Sequence, residues 1–183
     1  MAGSRGENSK DQAVTHYQSL RRLAYDKTER EYAPLRVKLS EISYGDALEA
    51  DGWGPLWSAP ERRPTWSWVH MFHEYRSNAG IKRFDPAIRV DGRLCGLCYG
   101  IPNRSKLILK LHAITGSPMA TPLRRSCFPV ALFAASTYAD FLGSEEIWLV
   151  NPMNDSVAAY YARFGFTSER NASGHVTHMR IKL

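Results

Sequence analysis

The sequence predicts an α/β (α+β) fold, a mixed central sheet with flanking helices, and three stretches carry that prediction. Ile147–Val150 is a short apolar run that reads as a buried strand, ended by the turn residues Asn151-Pro152. A helix follows it. Asn154 or Asp155 can cap that helix, Val157, Tyr160 or Tyr161 and Phe164 recur at helical spacing, and Gly165 supplies a left-handed exit before Phe166 re-enters the sheet. The second stretch is Asp91-Gly92 between the apolar runs Phe84–Val90 and Leu94–Ile101, a hairpin signal because a type I′ turn needs positive φ at both central residues. In the third, Phe128, Ala131, Ala135 and Tyr138 keep helical spacing to about Leu142, where Gly143 closes the helix.

The remaining elements fall between these. Met1 to Lys10 is small, polar and charged and reads as a disordered tail, which leaves residues 11–183 as a single domain. From Asp11 to Tyr32, Val14, Tyr17, Leu20, Leu23 and Ala24 mark an amphipathic helix, ended by Pro34. Leu35–Ile42 alternates apolar and charged residues, as a half-exposed first strand does. Gly45–Pro64 reads as a loop with a short helix at Asp46–Ala50; its Trp53 and Trp57 are expected to cap the core, although tryptophans in a long connection can also wall a ligand pocket. Pro64-Thr65 starts a helix with Trp68, Phe72, Tyr75 and Ala79 on one face, stopped by Gly80. Leu107–Ile114 is the third strand of a meander, and His175–Leu183 is the last strand. Cys95 and Cys98, three apart on a strand, should face opposite sides of the sheet.

Composition narrows the function classes. A chain of 183 residues with 44% apolar content builds one core. Its longest apolar run, near Val130–Ala135, is too short to span a bilayer, and the N-terminus lacks the apolar segment of a signal peptide, so a cytoplasmic protein without a membrane partner is expected. Three cysteines are too few and too widely scattered for a disulfide framework. His70 and His73 have the spacing of metal ligands but no third ligand in the sequence pattern, so no metal site is expected. The net charge is +6, and Gly92–Ala139 contains no Asp or Glu while holding Arg93, Arg104, Lys106, Lys110, Arg124 and Arg125. A polyanion is the expected visitor to that segment.

The strand, helix and Gly-Phe exit of Asn151–Phe166, with Asn154 seven residues before Tyr161 and Tyr161 four before Gly165, resembles the C-terminal motif of the GNAT superfamily of N-acetyltransferases. The element order from Leu35 to Leu183 is also that of the family. The resemblance implies acetyl-CoA held between Leu107–Ile114 and Ile147–Val150, touching Leu111, Ala113, Ile114, Asn151, Asn154 and Tyr161. It further implies that the pyrophosphate meets the loop and first helical turn at Leu123, Arg124, Arg125, Ser126, Cys127 and Phe128, where free backbone N–H groups and the helix dipole favour an anion. Tyr161 takes the position of the family's general acid. His112 is the best candidate base by residue type.

One departure is plain. The family's loop carries glycines three and five positions after a basic residue or Gln, and Pro122-Leu-Arg-Arg-Ser-Cys-Phe has none. Pro129 adds a constraint, since inside a helix it would remove a hydrogen bond, whereas with Ser126 as the cap it falls in the first turn. Phosphate binding is therefore expected to shift from glycine backbone to the guanidinium groups of Arg124 and Arg125. The first reading is an acetyl-CoA-dependent N-acetyltransferase acting on an amine of a small molecule or protein. The second is a non-catalytic module of the same fold whose basic surface contacts nucleic acid or an acidic protein. The acceptor stays open, and so does the oligomeric state, a dimer included.

Overall fold

A computed structural model describes residues 4–58, 63–78, 80–124 and 126–183. Seven strands form one sheet in the order β1-β2-β3-β4-β5-β7-β6. They are β1 (Val37–Glu41), β2 (Pro86–Val90), β3 (Arg93–Pro102), β4 (Ile108–Gly116), β5 (Glu146–Val150), β6 (Thr167–Arg170) and β7 (Val176–Lys182). The helices are α1 (Ser4–Glu31), α2 (Tyr44–Asp51), α3 (Trp68–Asn78), α4 (Cys127–Leu142) and α5 (Asp155–Ala162). All neighbouring strands are antiparallel except β4 and β5. This is the mixed sheet with flanking helices that the sequence predicts.

Two apolar clusters sandwich the sheet. One joins α1, α4 and α5 to Ile88, Leu109, Leu111, Ile147, Leu149 and Met179; the other joins α2 and α3 to Ala87, Leu94, Leu97, Tyr99 and Ala113. Among the described residues, no helix is long and apolar enough to cross a membrane.

Several boundaries follow from local chemistry. Asp91 and Gly92 have φ of 49° and 78°, as the turn between β2 and β3 requires. Ser43 and Asp46 form a capping box on α2. The third helix starts at Trp68, four residues after Pro64, because Asp51 and Ser67 cap it there. The Asp51 carboxylate accepts from the N–H groups of Trp68 (2.6 Å) and Val69 (3.2 Å), and Ser67 Oγ accepts from that of His70 (3.1 Å). Helix α4 begins at Cys127, so Pro129 sits in its first turn, as the choice of Ser126 for the cap predicts.

The structure corrects four readings. Helix α1 already runs from Ser4, through most of the stretch expected as a tail, because a nucleated helix extends at the gain of one hydrogen bond per residue; residues 1–3 lie outside the described residues. Its buried stripe is Tyr17, Arg21, Ala24, Tyr25 and Thr28, while Leu23 faces solvent. Cys95 and Cys98 lie in the same cluster, with α4. The reason is a bulge: Gly96 pairs with Ile88 and Leu94 with Arg89, so Cys95 is an extra residue and alternation breaks. The chain after Phe166 forms a two-strand hairpin, β6 with β7, where only the second strand has an apolar pattern that predicts it.

The first helix is held by charge. Arg21, 2% exposed, donates to Glu41 (2.8 Å) and to the carbonyl of Ile81 (3.0 Å), while Arg83 pairs with Glu41 and Asp85, each at 2.6 Å. Helix α4 is held by shape. A Cβ on Gly96 of β3 would collide with Cys127 Sγ and stand 2.8 Å from the Thr115 carbonyl oxygen. Gly96→Ala is therefore expected to lower stability by about 1–3 kcal/mol, the usual cost of overpacking. A urea melt unchanged within error would show that the start of α4 shifts freely.

Candidate functional site

The cleft arises where two strands part. β4 and β5 pair in parallel from Ile108–Glu146 to Leu111–Leu149, and the pairing stops there although β4 continues to Gly116. A bulge marks the point of departure. Tyr99 pairs with Ala113 and Gly100 with Leu111, so His112 is the extra residue. Beyond it, Ala113 and Thr115 turn to the α3 side of the sheet, and Trp68 Nε1 donates to Thr115 Oγ1 at 3.3 Å, holding β4 away from β5. On the other bank Asn151 takes a φ of 47° and its N–H donates to Thr177 O (2.9 Å), which commits the chain to β7's side before α5 starts. The backbone edge of β4 left open by this parting faces the cleft.

The opening is a cavity of about 690 Å³, within the range of small-molecule sites. Leu111, His112, Ala113 and Ile114 line it from β4, Asn151 from the end of β5, and Tyr160, Tyr161, Arg163 and Phe164 from α5 and the turn after it. A second cavity of about 280 Å³ adjoins it, lined by Leu123, Arg124, Cys127 and Phe128 at the start of α4. Both share Trp57, Ile114, Gly116, Tyr160 and Tyr161, so they form one elongated cleft. It is apolar along its middle and basic at the α4 end. Such a cleft can hold an extended ligand with an anionic terminus.

Most of the residues expected here are therefore brought together. Tyr161 packs against Phe128 with the rings tilted at 46° and their centroids 4.6 Å apart, and burial pushes its phenol well above the ordinary value. Its hydroxyl has no hydrogen-bond partner among the described residues. His112 is exposed at the cleft mouth; desolvation by the walls, then the charge of Lys110, hold its imidazole below 6.5. Asn154 stands apart from the lining: its side chain accepts from Val157 N (2.9 Å) and caps α5. Ser126 is outside both linings and caps α4 without a side-chain hydrogen bond. Arg125 lies outside the described residues.

The phosphate end differs from a glycine loop. Leu123 is buried at 1% exposure, Arg124 N–H donates to Thr121 O (3.0 Å) and Ser126 N–H to Leu123 O (2.8 Å). The loop thus consumes its own donors. With Pro129 lacking an N–H, helix geometry leaves those of Cys127 and Phe128 in the first turn. Burial, and secondarily Cys95, push the Cys127 thiol up to about 12, so it is an apolar wall rather than a nucleophile.

The tryptophans divide between the two roles that the sequence allows them. Trp53 caps the core at 2% exposure, as expected, but Trp57 and Trp66 wall the opening together with Pro64. Their density between Trp53 and Trp68 was the available signal. His70 and His73 are placed on α3, where His70 pairs with Glu74 (3.5 Å) and His73 lies against Tyr44.

A sheet of this order, opened between β4 and β5 and closed by α5, is the fold of the GNAT N-acetyltransferases. Comparison with solved structures agrees. The chain superposes on Ard1 from Thermoplasma volcanium with a TM-score of 0.60 at 13% identity, covering 80% of this chain and 97% of that one. It superposes on the PaiA N-acetyltransferase from Thermoplasma acidophilum, solved with coenzyme A, with a TM-score of 0.57 at 16% identity, covering 80% and 99%. A spermidine N-acetyltransferase SpeG chimera from Vibrio cholerae and hSSAT gives 0.55 at 19%, covering 80% and 95%. No protein-family model matches the sequence, and no curated protein matches it either.

The cleft's electrostatics can be read directly. An NMR titration of the His112 ring is expected to have its midpoint below 6.5, and Lys110→Met to raise it. An unmoved midpoint in that variant would leave desolvation as the sole cause.

Proposed function

We propose that this chain is an acetyl-CoA-dependent N-acetyltransferase. The observation that carries the reading is the parting of β4 from β5 at the His112 bulge, with Tyr161 on its rim and a basic, acid-free end at α4. The fit to acetyl-CoA is one of shape and charge. The apolar middle suits the pantetheine arm, and the α4 end suits the phosphates through the N–H groups of Cys127 and Phe128 and the guanidinium group of Arg124, to which Arg125, its neighbour in sequence, is expected to add a second.

The chemistry asked of the protein is modest. His112, neutral at pH 7, takes the proton of the incoming ammonium so that the free amine attacks the thioester carbonyl. An N–H on the open edge of β4 stabilises the oxyanion. As the C–S bond breaks, Tyr161 gives its proton to the sulfur, and the nitrogen, which keeps a surplus proton after the attack, releases it to restore the phenol; the role is supported by a phenol that burial keeps protonated across the working range. Asn154 serves this site indirectly, by fixing where α5 begins and hence where Tyr161 stands.

Calorimetric titration of the purified chain with acetyl-CoA is expected to give saturable one-to-one binding, and the absence of heat would remove the proposal. Tyr161→Phe should then slow turnover about 100-fold or more and leave acetyl-CoA affinity within about twofold; an unchanged rate would assign Tyr161 to packing alone.

The arginine reading has its own test. Replacing Arg124 and Arg125 together by alanine should weaken acetyl-CoA binding roughly tenfold or more without lowering the melting temperature, since Arg124 is exposed. Equal affinity in the double variant would return the phosphates to the backbone N–H groups.

A further inference from the structure

We infer that Asp51, which lines neither cavity, is a positioning residue for the cleft and acts on the open half of β4 through the first turn of α3 and the indole of Trp68. Its effect on acetyl-CoA rests on the transferase reading above; the linkage between the residues does not. Past Leu111 the backbone groups on the outer edge of β4 are not paired with β5, and closing the gap would give them partners. Pairing with β3 does not prevent that closure, because Thr115 and its partner Leu97 can move together. A restraint that keeps the strands apart has to come from outside the sheet.

Trp68 provides it. An indole N–H only donates, so in the 3.3 Å contact between Trp68 Nε1 and Thr115 Oγ1 the hydroxyl oxygen is the acceptor. Both residues are buried, at 2% and 4% exposure, so parting them would leave a donor and an acceptor out of reach of water. Thr115 itself lines the large cavity, with Ala113, Ile114 and Gly116 of the same strand. One end of the bond therefore belongs to a helix and the other to the cleft wall.

The helix is in turn placed by one carboxylate. The first N–H groups of a helix have no partner inside it. Asp51, the last residue of α2, accepts from those of Trp68 (2.6 Å) and Val69 (3.2 Å), and from Ser67 Oγ (2.6 Å), 16 residues away in sequence. Asp51 thus holds the backbone of the residue whose indole reaches Thr115, and the path from carboxylate to cleft wall is two hydrogen bonds and one side chain long. Without the cap the first turn of α3 frays, the indole loses its anchor and the unpaired half of β4 relaxes toward β5. The open fraction falls, and the apparent affinity falls with it.

A double-mutant cycle on the full chain tests this, read by acetyl-CoA titration and by the NMR signals of the Trp68 indole and the β4 amides. Asp51→Ala and Thr115→Val are each expected to weaken acetyl-CoA binding roughly tenfold, and the double variant no more than the worse of the two, because both break one path. Asp51→Asn, which keeps an oxygen for the Trp68 N–H, and Thr115→Ser, which keeps the hydroxyl, should each bind within about threefold of the wild type. Effects that multiply in the double variant would overturn the inference. So would an Asp51→Ala chain that melts earlier but binds as tightly as before. Should Asp51→Ala fail to fold, Ser67→Ala, which removes one contact of the same cap, replaces it in the cycle with the same expected non-additivity. If the wild-type chain binds no acetyl-CoA, the transferase reading falls alone and the spectra decide the linkage: Ala113 and Thr115 amide signals moved by Asp51→Ala support it, and unmoved ones overturn it.

Discussion

The parallel pairing of β4 with β5, and its end at Leu111–Leu149, is the constraint on which the rest of the architecture turns. A parallel pair needs a long crossover, and here α4 provides it, so the start of α4 must lie beside the place where β4 ends. The same crossover puts an unpaired helix start next to an unpaired strand edge. Once the strands part, neither edge is satisfied by the sheet, and the opening becomes a site of unspent backbone donors rather than a defect. The bulge at His112 makes the parting abrupt: it turns Ala113 and Thr115 toward α3, and the Trp68–Thr115 hydrogen bond keeps them there.

Holding a sheet open requires stiff banks, and the two banks are stiffened differently. On the β1–β4 side, α1 is locked by Arg21 and Arg83 around Glu41 and Asp85, where each guanidinium also donates to backbone carbonyls. Breaking such a network by removing one partner strands a buried charge, which makes it directional and unforgiving. Burial raises the Asp85 carboxyl to about 6 even beside Arg83 and Arg21, a sign of how little water reaches it. On the α5 side the bank is aromatic. Phe128 meets Tyr160, Tyr161, Phe164 and Phe166 with centroids between 4.6 and 6.2 Å, so the helix that lines the cleft is fixed by ring packing onto the helix that starts it.

Much of this was legible in the sequence wherever one residue type has one local solution. Asp91-Gly92, Gly143 and Gly165 all take positive φ, Asn154 caps α5, and Pro129 sits where a proline can. What escaped is non-local. Arg21 and Glu41 are 20 residues apart and Arg21 and Arg83 are 62 apart, and nothing in a helical stripe reveals that an arginine will face inward. The Cys95 bulge escaped because alternation rules assume an even ladder. The His112 bulge left almost no trace, since Leu109, Leu111 and Ala113 keep a period of two through it and only Ile114 breaks the pattern. The four residues of β6, Thr-Ser-Glu-Arg, escaped because an edge strand can be polar. For Trp57 the sequence leaves two roles open, because a tryptophan over a core and one over a cleft have the same sequence context.

The glycine-free loop follows from how α4 is docked. A glycine loop holds phosphate by turning its own N–H groups outward, which requires that the loop be free of side chains and not anchored by one. Here Leu123 is driven into the core and two turn bonds use the N–H groups of Arg124 and Ser126. Cys127 sits on Gly96, so the glycine that permits close approach is in the sheet and not in the loop. The helix start is thereby fixed against β3, and fewer of its donors remain. Under the proposed function, side-chain charge must then replace backbone polarity at the phosphate end. Guanidinium groups suit that replacement because their charge does not depend on pH and their paired donors match phosphate oxygens. Of the described basic residues in the acid-free segment from Gly92 to Ala139, only Arg124 lines the cleft, while Lys106 and Lys110 lie over the rings of Tyr17 and Trp148, so the docking geometry accounts for the charge at the phosphate end and not for that of the whole segment.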